Sequence, residues 1–168
     1  MSNTLHIIEP TLTGTAGHCY SFVSSLCSVA ENLTVFLWCG NKAKITLPEN
    51  VVVRPFFFRR IRRFQALWLY RKLLKTDDRL FISTAGRTDL FLLALAACGK
   101  IPPNKVYLYV HWFRTSPGKL RQLARLAKRQ PEIAVLAPSA SVCDEFRRAG
   151  LELQKRHNPR HLWQALIS

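Results

Sequence analysis

At 168 residues the chain is long enough for one domain with a real core, and a 48% hydrophobic share beside 21% charged residues excludes a disordered polymer. The charge is lopsided: 25 Lys and Arg against 10 Asp and Glu give a formal net charge of +15, which favours an anionic partner such as nucleic acid, phospholipid headgroups or a phosphorylated ligand. The longest apolar run, "LFLLALAAC" from Leu90 to Cys98, is about half of the ~20 residues that span a bilayer and reads as a buried helix.

The N-terminus "MSNTLHIIEPTL" lacks the basic start and apolar core of a signal peptide, so a cytoplasmic protein is expected, at most peripheral at the inner face of the membrane. The five cysteines, Cys19, Cys27, Cys39, Cys98 and Cys143, form no C-x-x-C pair and fit reduced thiols. No internal repeat divides the chain.

Leu5 to Ile8 reads as the first strand. It runs into "PTLTGTAGHCYSF", Pro10 to Phe22, where Gly14 and Gly17 let the backbone approach a ligand and the amides beside His18, at the start of the helix His18 to Glu31, offer an anion site. A strand-to-helix turn that needs glycine only for its geometry is the alternative. The spacing is not G-x-G-x-x-G, and the second strand, Thr34 to Trp38, leads to Cys39 and Gly40 rather than to an acidic residue, so a dinucleotide fingerprint is absent.

Val51 to Val53 is the third strand, followed by the basic segment "RPFFFRRIRRFQALWLYRKLLK" with eight Lys or Arg and no acidic residue between Arg54 and Lys75. As a helix from Arg59 to Lys75 it places Ile61, Phe64, Leu67, Trp68 and Leu74 along one side, with Arg71 among them. Arg59, Arg60, Arg62, Arg63, Trp68, Arg71 and Lys72 then suit an anionic membrane interface; a core-facing helix with a solvated basic back is the alternative. Nucleic acid is the lesser rival, since no recognition-helix, RRM or KH signature is present.

Leu80 to Ser83 is the fourth strand, opening into "STAGRTDLF", where Gly86 and Arg87 can serve a phosphate or sugar and Asp89 favours the start of the helix Thr88 to Cys98, which Gly99 is expected to cap. Val106 to Val110 is the fifth strand, and "HWFR" puts His111 at its carboxyl end with Trp112 to stack and Arg114 to hold an anion. A histidine that satisfies loop carbonyls is the alternative for His111. Ser116 as N-cap and Pro117 in the first turn begin a helix with Leu120, Leu123, Ala124 and Ala127 on one face and Arg121, Arg125 and Lys128 opposite. Ile133 to Leu136 is the sixth strand, and a last helix starts at Ser139 or Ser141 after Pro138, turns Phe146 inward and stops at Gly150.

Strand and helix alternate throughout, which argues for an α/β fold, a Rossmann-like three-layer sandwich with a mostly parallel central sheet whose ligands lie beyond the carboxyl ends of the strands. No metal site is expected: His157 and His161 have i, i+4 spacing, but Pro159 interrupts any helix between them and no third ligand stands nearby.

The segments "GTAGHCYSF", "YLYVHWF" and "VLAPSASVCDEFRRAGL" together resemble the N-terminal half of GT-B glycosyltransferases of the retaining, family 4-like group. The likeness covers residues 4 to 151, with Pro138 and Ser139 opening and Ala149 and Gly150 closing the helix before the domain crossover. It implies a GT-B N-terminal-like domain at 1–151 and a tail or crossover remnant at 152–168. It also implies that Gly14, Gly17 and His18 near the donor diphosphate and the acceptor, that His111 contacts the transferred sugar, and that the basic helix meets the membrane.

The donor half of that family, with its Glu-x7-Glu motif, has no counterpart here; Glu145 and Glu152 have the wrong spacing. The expectation is therefore an acceptor-binding half for a membrane-linked or polysaccharide acceptor, with no cofactor bound by this chain alone. Nucleotide sugar would come as donor through a partner chain, and the chain alone would be a poor catalyst. The expectation from another class is a non-catalytic basic adaptor on anionic membrane or nucleic acid.

Overall fold

The computed structural model describes residues 3–110 and 116–137, with positions 142, 144 and 147. In order, these hold β1 (Thr4–Glu9), α1 (His18–Val29), β2 (Thr34–Gly40), β3 (Val51–Phe57), α2 (Arg62–Leu73), β4 (Arg79–Ile82), α3 (Arg87–Ala96), β5 (Val106–Tyr109), α4 (Pro117–Arg129) and β6 (Ala134–Leu136). The strands form one sheet in the order β3-β2-β1-β4-β5-β6, and every pairing in it is parallel. The chain is thus the Rossmann-like α/β sandwich that its alternation implied.

A parallel sheet covered on both faces needs strands that are apolar on both sides. β1 meets that demand. Leu5 and Ile7 join a core with Val23, Leu26 and Cys27 of α1, whereas Ile8 joins Leu80 and Ile82 under α2, α3 and α4. Each of those β1 side chains is fully buried, worth ~1.5–3 kcal/mol apiece over exposure. At the end of the sheet, Ser116 caps α4 as expected, its hydroxyl accepting the Lys119 N–H at 3.4 Å.

Three sequence expectations are corrected. β3 continues past Val53 to Phe57, so Arg54 and Pro55 lie in a strand; the sheet accepts Pro55 because β3 is an edge, where a missing N–H breaks no ladder. Arg59 and Arg60 consequently sit in the turn before α2, which starts at Arg62. α3 ends at Ala96, and Gly99 lies beyond it without a positive φ; Gln130 holds that turn instead, donating to Gly99 O at 2.7 Å and accepting the Ile101 N–H at 2.8 Å.

The third correction concerns the face of α2. Ala66, Leu69, Tyr70 and Leu73 point inward, while Ile61, Phe64 and Trp68 stay out, 49%, 77% and 53% exposed. Tyr70 decides the rotation. Its hydroxyl donates to Asp89 Oδ1 of α3 at 3.0 Å, and turning the expected side inward would strand that buried hydroxyl.

Away from the loops after the strands, His6 is buried between Trp38, whose indole N–H donates to Nδ1 at 3.0 Å, and Asp78, 3.1 Å from Nε2. With Nδ1 accepting, Nε2 carries the proton. Burial pushes the pKa of His6 below its ordinary value, outweighing the pull of Asp78, and Lys105 and Lys72 add to the push. The unfolded chain therefore binds a proton that the folded one refuses, so this stability is complete above pH ~6.5 and drains away as pH falls below it. Thermal melts from pH 7.5 to 5.5 should show the native protein losing more stability than His6→Gln; parallel profiles would contradict this reading of His6.

Candidate functional site

The connections from β1 and β4 leave in opposite directions, to α1 on one face and to α3 on the other. In an open parallel sheet, neighbours whose connections diverge in this way leave a crevice beyond their carboxyl ends. One of about 160 Å3 opens there, lined among others by Pro10, Thr11, Arg62, Arg63, Thr84 and Asp89.

Its floor rests on Glu9, the last residue of β1, which has no solvent exposure. A buried carboxylate is costly unless donors surround it, and the two loops supply them. Ser83 Oγ donates to Oε2 at 2.5 Å, Thr84 Oγ1 donates to the same oxygen at 2.9 Å, and the Thr11 N–H reaches Oε1 at 3.2 Å. The Thr11 hydroxyl also donates to Oε1. No salt bridge to Glu9 is present among the described residues.

Asp89 forms one wall. It accepts the Gly86 N–H at 2.9 Å on Oδ2, capping α3, and the Tyr70 hydroxyl on Oδ1. Burial raises its pKa, and those two hydrogen bonds together with the nearby Arg62 pull it back only in part. Tyr70, fully buried, is pushed well up by burial and then by the charge of Asp89. Arg62 and Arg63, both exposed in the first turn of α2, stand at the mouth and make no ion pair among the described residues.

The sequence candidates fall at several places in the structure. Pro10 and Thr11 open the glycine-containing loop and line the crevice; Gly14, Gly17 and His18 do not. Nothing lies within 4 Å of a Cβ built on Gly14 or Gly17, and His18 is exposed at the start of α1. Gly17 has φ +93 and needs to be glycine for that reason alone.

The Gly86 amide is already taken by Asp89, and the Arg87 guanidinium leans toward α4, 3.7 Å from where a Cβ of Gly118 would stand. The structural role read for Asp89 holds. His111, Trp112 and Arg114 lie outside the described residues, as do Pro138, Ser139, Phe146, Ala149, Gly150, His157, His161 and the tail 152–168.

Sequence reasoning missed Glu9, Thr11 and Thr84. The available signal was an acidic residue ending an apolar strand in "HIIEP", beside hydroxyls ending another in "FIST".

Larger hollows exist elsewhere. One of about 310 Å3 between α3 and α4 is lined by Phe91, Leu95, Arg125 and Arg129, and one of about 620 Å3 lies by Thr76, Asp77 and Lys105 at the opposite ends of the strands. Neither receives residues from the loops at the carboxyl ends of β1 and β4, where the buried polar groups converge. Among the described residues no group of three or more His, Cys, Asp or Glu is placed to hold a metal, and no helix is long and apolar enough to cross a membrane. No family model, no curated protein and no solved structure matches the chain.

The close approach that shapes the first loop is at Gly40, where β2 ends. Its N–H donates to Leu12 O at 3.0 Å, and an added Cβ would stand 2.9 Å from Thr13 Cγ2 and 3.1 Å from Leu12 O. Gly40→Ala should cost about 1–3 kcal/mol in urea unfolding, because the loop must lift, whereas Gly14→Ala should stay within about 0.5 kcal/mol. Equal effects would contradict this account of the loop.

Proposed function

We propose that the domain is the acceptor-binding half of a glycosyltransferase acting on a membrane-linked or polysaccharide acceptor, of the GT-B kind that its sequence resembles. One observation carries the reading: the crevice beside β1 and β4 is lined by the Asp89 carboxylate and by the Thr11 and Thr84 hydroxyls that bond the buried Glu9, together with the arginine pair that begins α2, the helix whose outer side is aromatic and basic. A hydroxyl-bearing acceptor suits such a floor, and α2 suits a surface that delivers it. The reading requires a second domain to bring the nucleotide sugar, since transfer needs donor and acceptor oriented in one closed site.

A basic adaptor that docks on an anionic membrane is the second reading, favoured by the outward side of the same region. Phe58, Ile61, Phe64 and Trp68 are exposed among Arg59, Arg60, Arg62, Arg63, Arg71 and Lys72. Phe56 stacks on one side of Trp68, and the Lys72 ammonium stands 5.1 Å from its ring centroid. Aromatic rings of this kind sit at the headgroup level of a bilayer, and each basic residue near an anionic surface adds ~1 kcal/mol.

Two measurements separate these readings. Fusing the chain to a nucleotide-sugar-binding domain should yield sugar transfer to a lipid-linked or polysaccharide acceptor; the adaptor reading predicts none. Reversing Arg59, Arg60, Arg62 and Arg63 to Glu should weaken binding to anionic vesicles at least about tenfold, with salt weakening the native protein in the same direction. Unchanged vesicle binding would remove membrane docking from both readings, and salt-sensitive binding to nucleic acid in its place would identify the anionic partner as nucleic acid.

A further inference from the structure

The hydrogen-bond directions in the crevice specify more than its residues do. As a carboxylate Glu9 can only accept, and each threonine hydroxyl has one proton to give. Thr84 Oγ1 gives its proton to Glu9 Oε2, and Thr11 gives its own to Oε1. What these hydroxyls retain is lone pairs.

Asp89 likewise receives Gly86 N–H and Tyr70 O–H and keeps its remaining lone pairs for the cavity. The part of the crevice lined by Thr11, Thr84 and Asp89 therefore asks its ligand for donors. The mouth asks for the opposite, because Arg62 and Arg63 present guanidinium donors there with no ion pair among the described residues.

We propose that the crevice takes a phosphorylated polyol or monosaccharide, with its hydroxyls turned to Thr11, Thr84 and Asp89 and its phosphate held by Arg62 and Arg63. The inference rests on the acceptor-binding reading for the choice of this crevice as the ligand site, and it adds the ligand's chemistry. About 160 Å3 is room for roughly five waters at ~30 Å3 each, the scale of one sugar ring. Inorganic phosphate brings at most two O–H donors on one small tetrahedron, too few and too close together to serve Thr11, Thr84 and Asp89 together, so it gains chiefly the arginines. A neutral sugar gains only the floor.

The test is calorimetric titration of the full chain with glucose 1-phosphate, glycerol 3-phosphate, glucose and inorganic phosphate. At least one of the two esters should bind about tenfold or more tightly than either glucose or inorganic phosphate. Arg62→Gln with Arg63→Gln, both at exposed positions, should remove the advantage of the ester over its free polyol. Thr84→Val, similar in volume, should lower ester affinity while leaving phosphate affinity unchanged.

Inorganic phosphate binding as tightly as both esters, no binding of either ester, or an arginine variant that keeps the ester advantage would each overturn the proposal. Displacement of the bound ester by vesicles of phosphatidylglycerol, but not by phosphatidylserine vesicles of equal charge, would assign the phosphorylated polyol to a lipid headgroup; no displacement would assign it to a soluble ligand. Either result keeps the shared chemistry. Ester binding without sugar transfer in the fused enzyme would sustain this inference and remove the glycosyltransferase reading, whereas transfer without ester binding would do the reverse.

Discussion

A carboxylate with no solvent exposure, and no salt bridge among the described residues, organises one end of this sheet. Glu9 ends β1 where the sheet changes the direction of its connections, and leaving such a charge unsolvated would cost several kcal/mol. The structure meets that demand with hydroxyl and amide donors. Ser83, Thr84 and Thr11 all turn toward the two oxygens, which ties the loop after β4 to the loop after β1 across adjacent strands. The polarity of the crevice follows from that one requirement, since hydroxyl protons given to Glu9 are not available to the cavity.

A second buried contact sets the other side. The Tyr70 hydroxyl reaching Asp89 locks α2 to α3, and Asp89 in turn caps α3 through Gly86. Rotating α2 to satisfy Tyr70 places Ala66, Leu69 and Leu73 in the core and leaves Phe64 and Trp68 outside. The arginines of its first turn then fall at the crevice mouth, and the aromatic side chains fall on the outer surface beside them. Ligand chemistry and surface chemistry are thereby coupled through one helix.

The architecture was legible because a parallel sheet buried on both faces leaves continuous apolar runs. All six strand runs became strands, and the loop residues Ser116 and Pro117 marked the start of α4. The face of α2 was not legible, for a physical reason: large apolar residues occur all round that helix, and the inward side is chosen by a tyrosine–aspartate hydrogen bond between residues 19 apart in sequence. Gly99 looked like a helix cap, but the turn is held by Gln130 from a distant loop. Gly14 and Gly17 mark the middle of the first loop, whereas the crevice is lined by its first two residues, Pro10 and Thr11. Periodicity and glycine spacing report local geometry; the crevice depends on which strands become neighbours.

A ligand bound beside β1 and β4, in the crevice above Glu9, would perturb the backbone amides around it. Backbone amide NMR of the isotope-labelled chain during titration with glucose 1-phosphate, or with glycerol 3-phosphate if that ester binds more tightly, tests such binding most directly. The largest shift changes should fall at Thr11, Arg62, Arg63, Thr84 and Asp89, with Gly14, Gly17 and the α3–α4 groove around Phe91 little changed. Largest changes in the Gly14–His18 loop or around Phe91, or none at saturating ester, would contradict binding in the crevice.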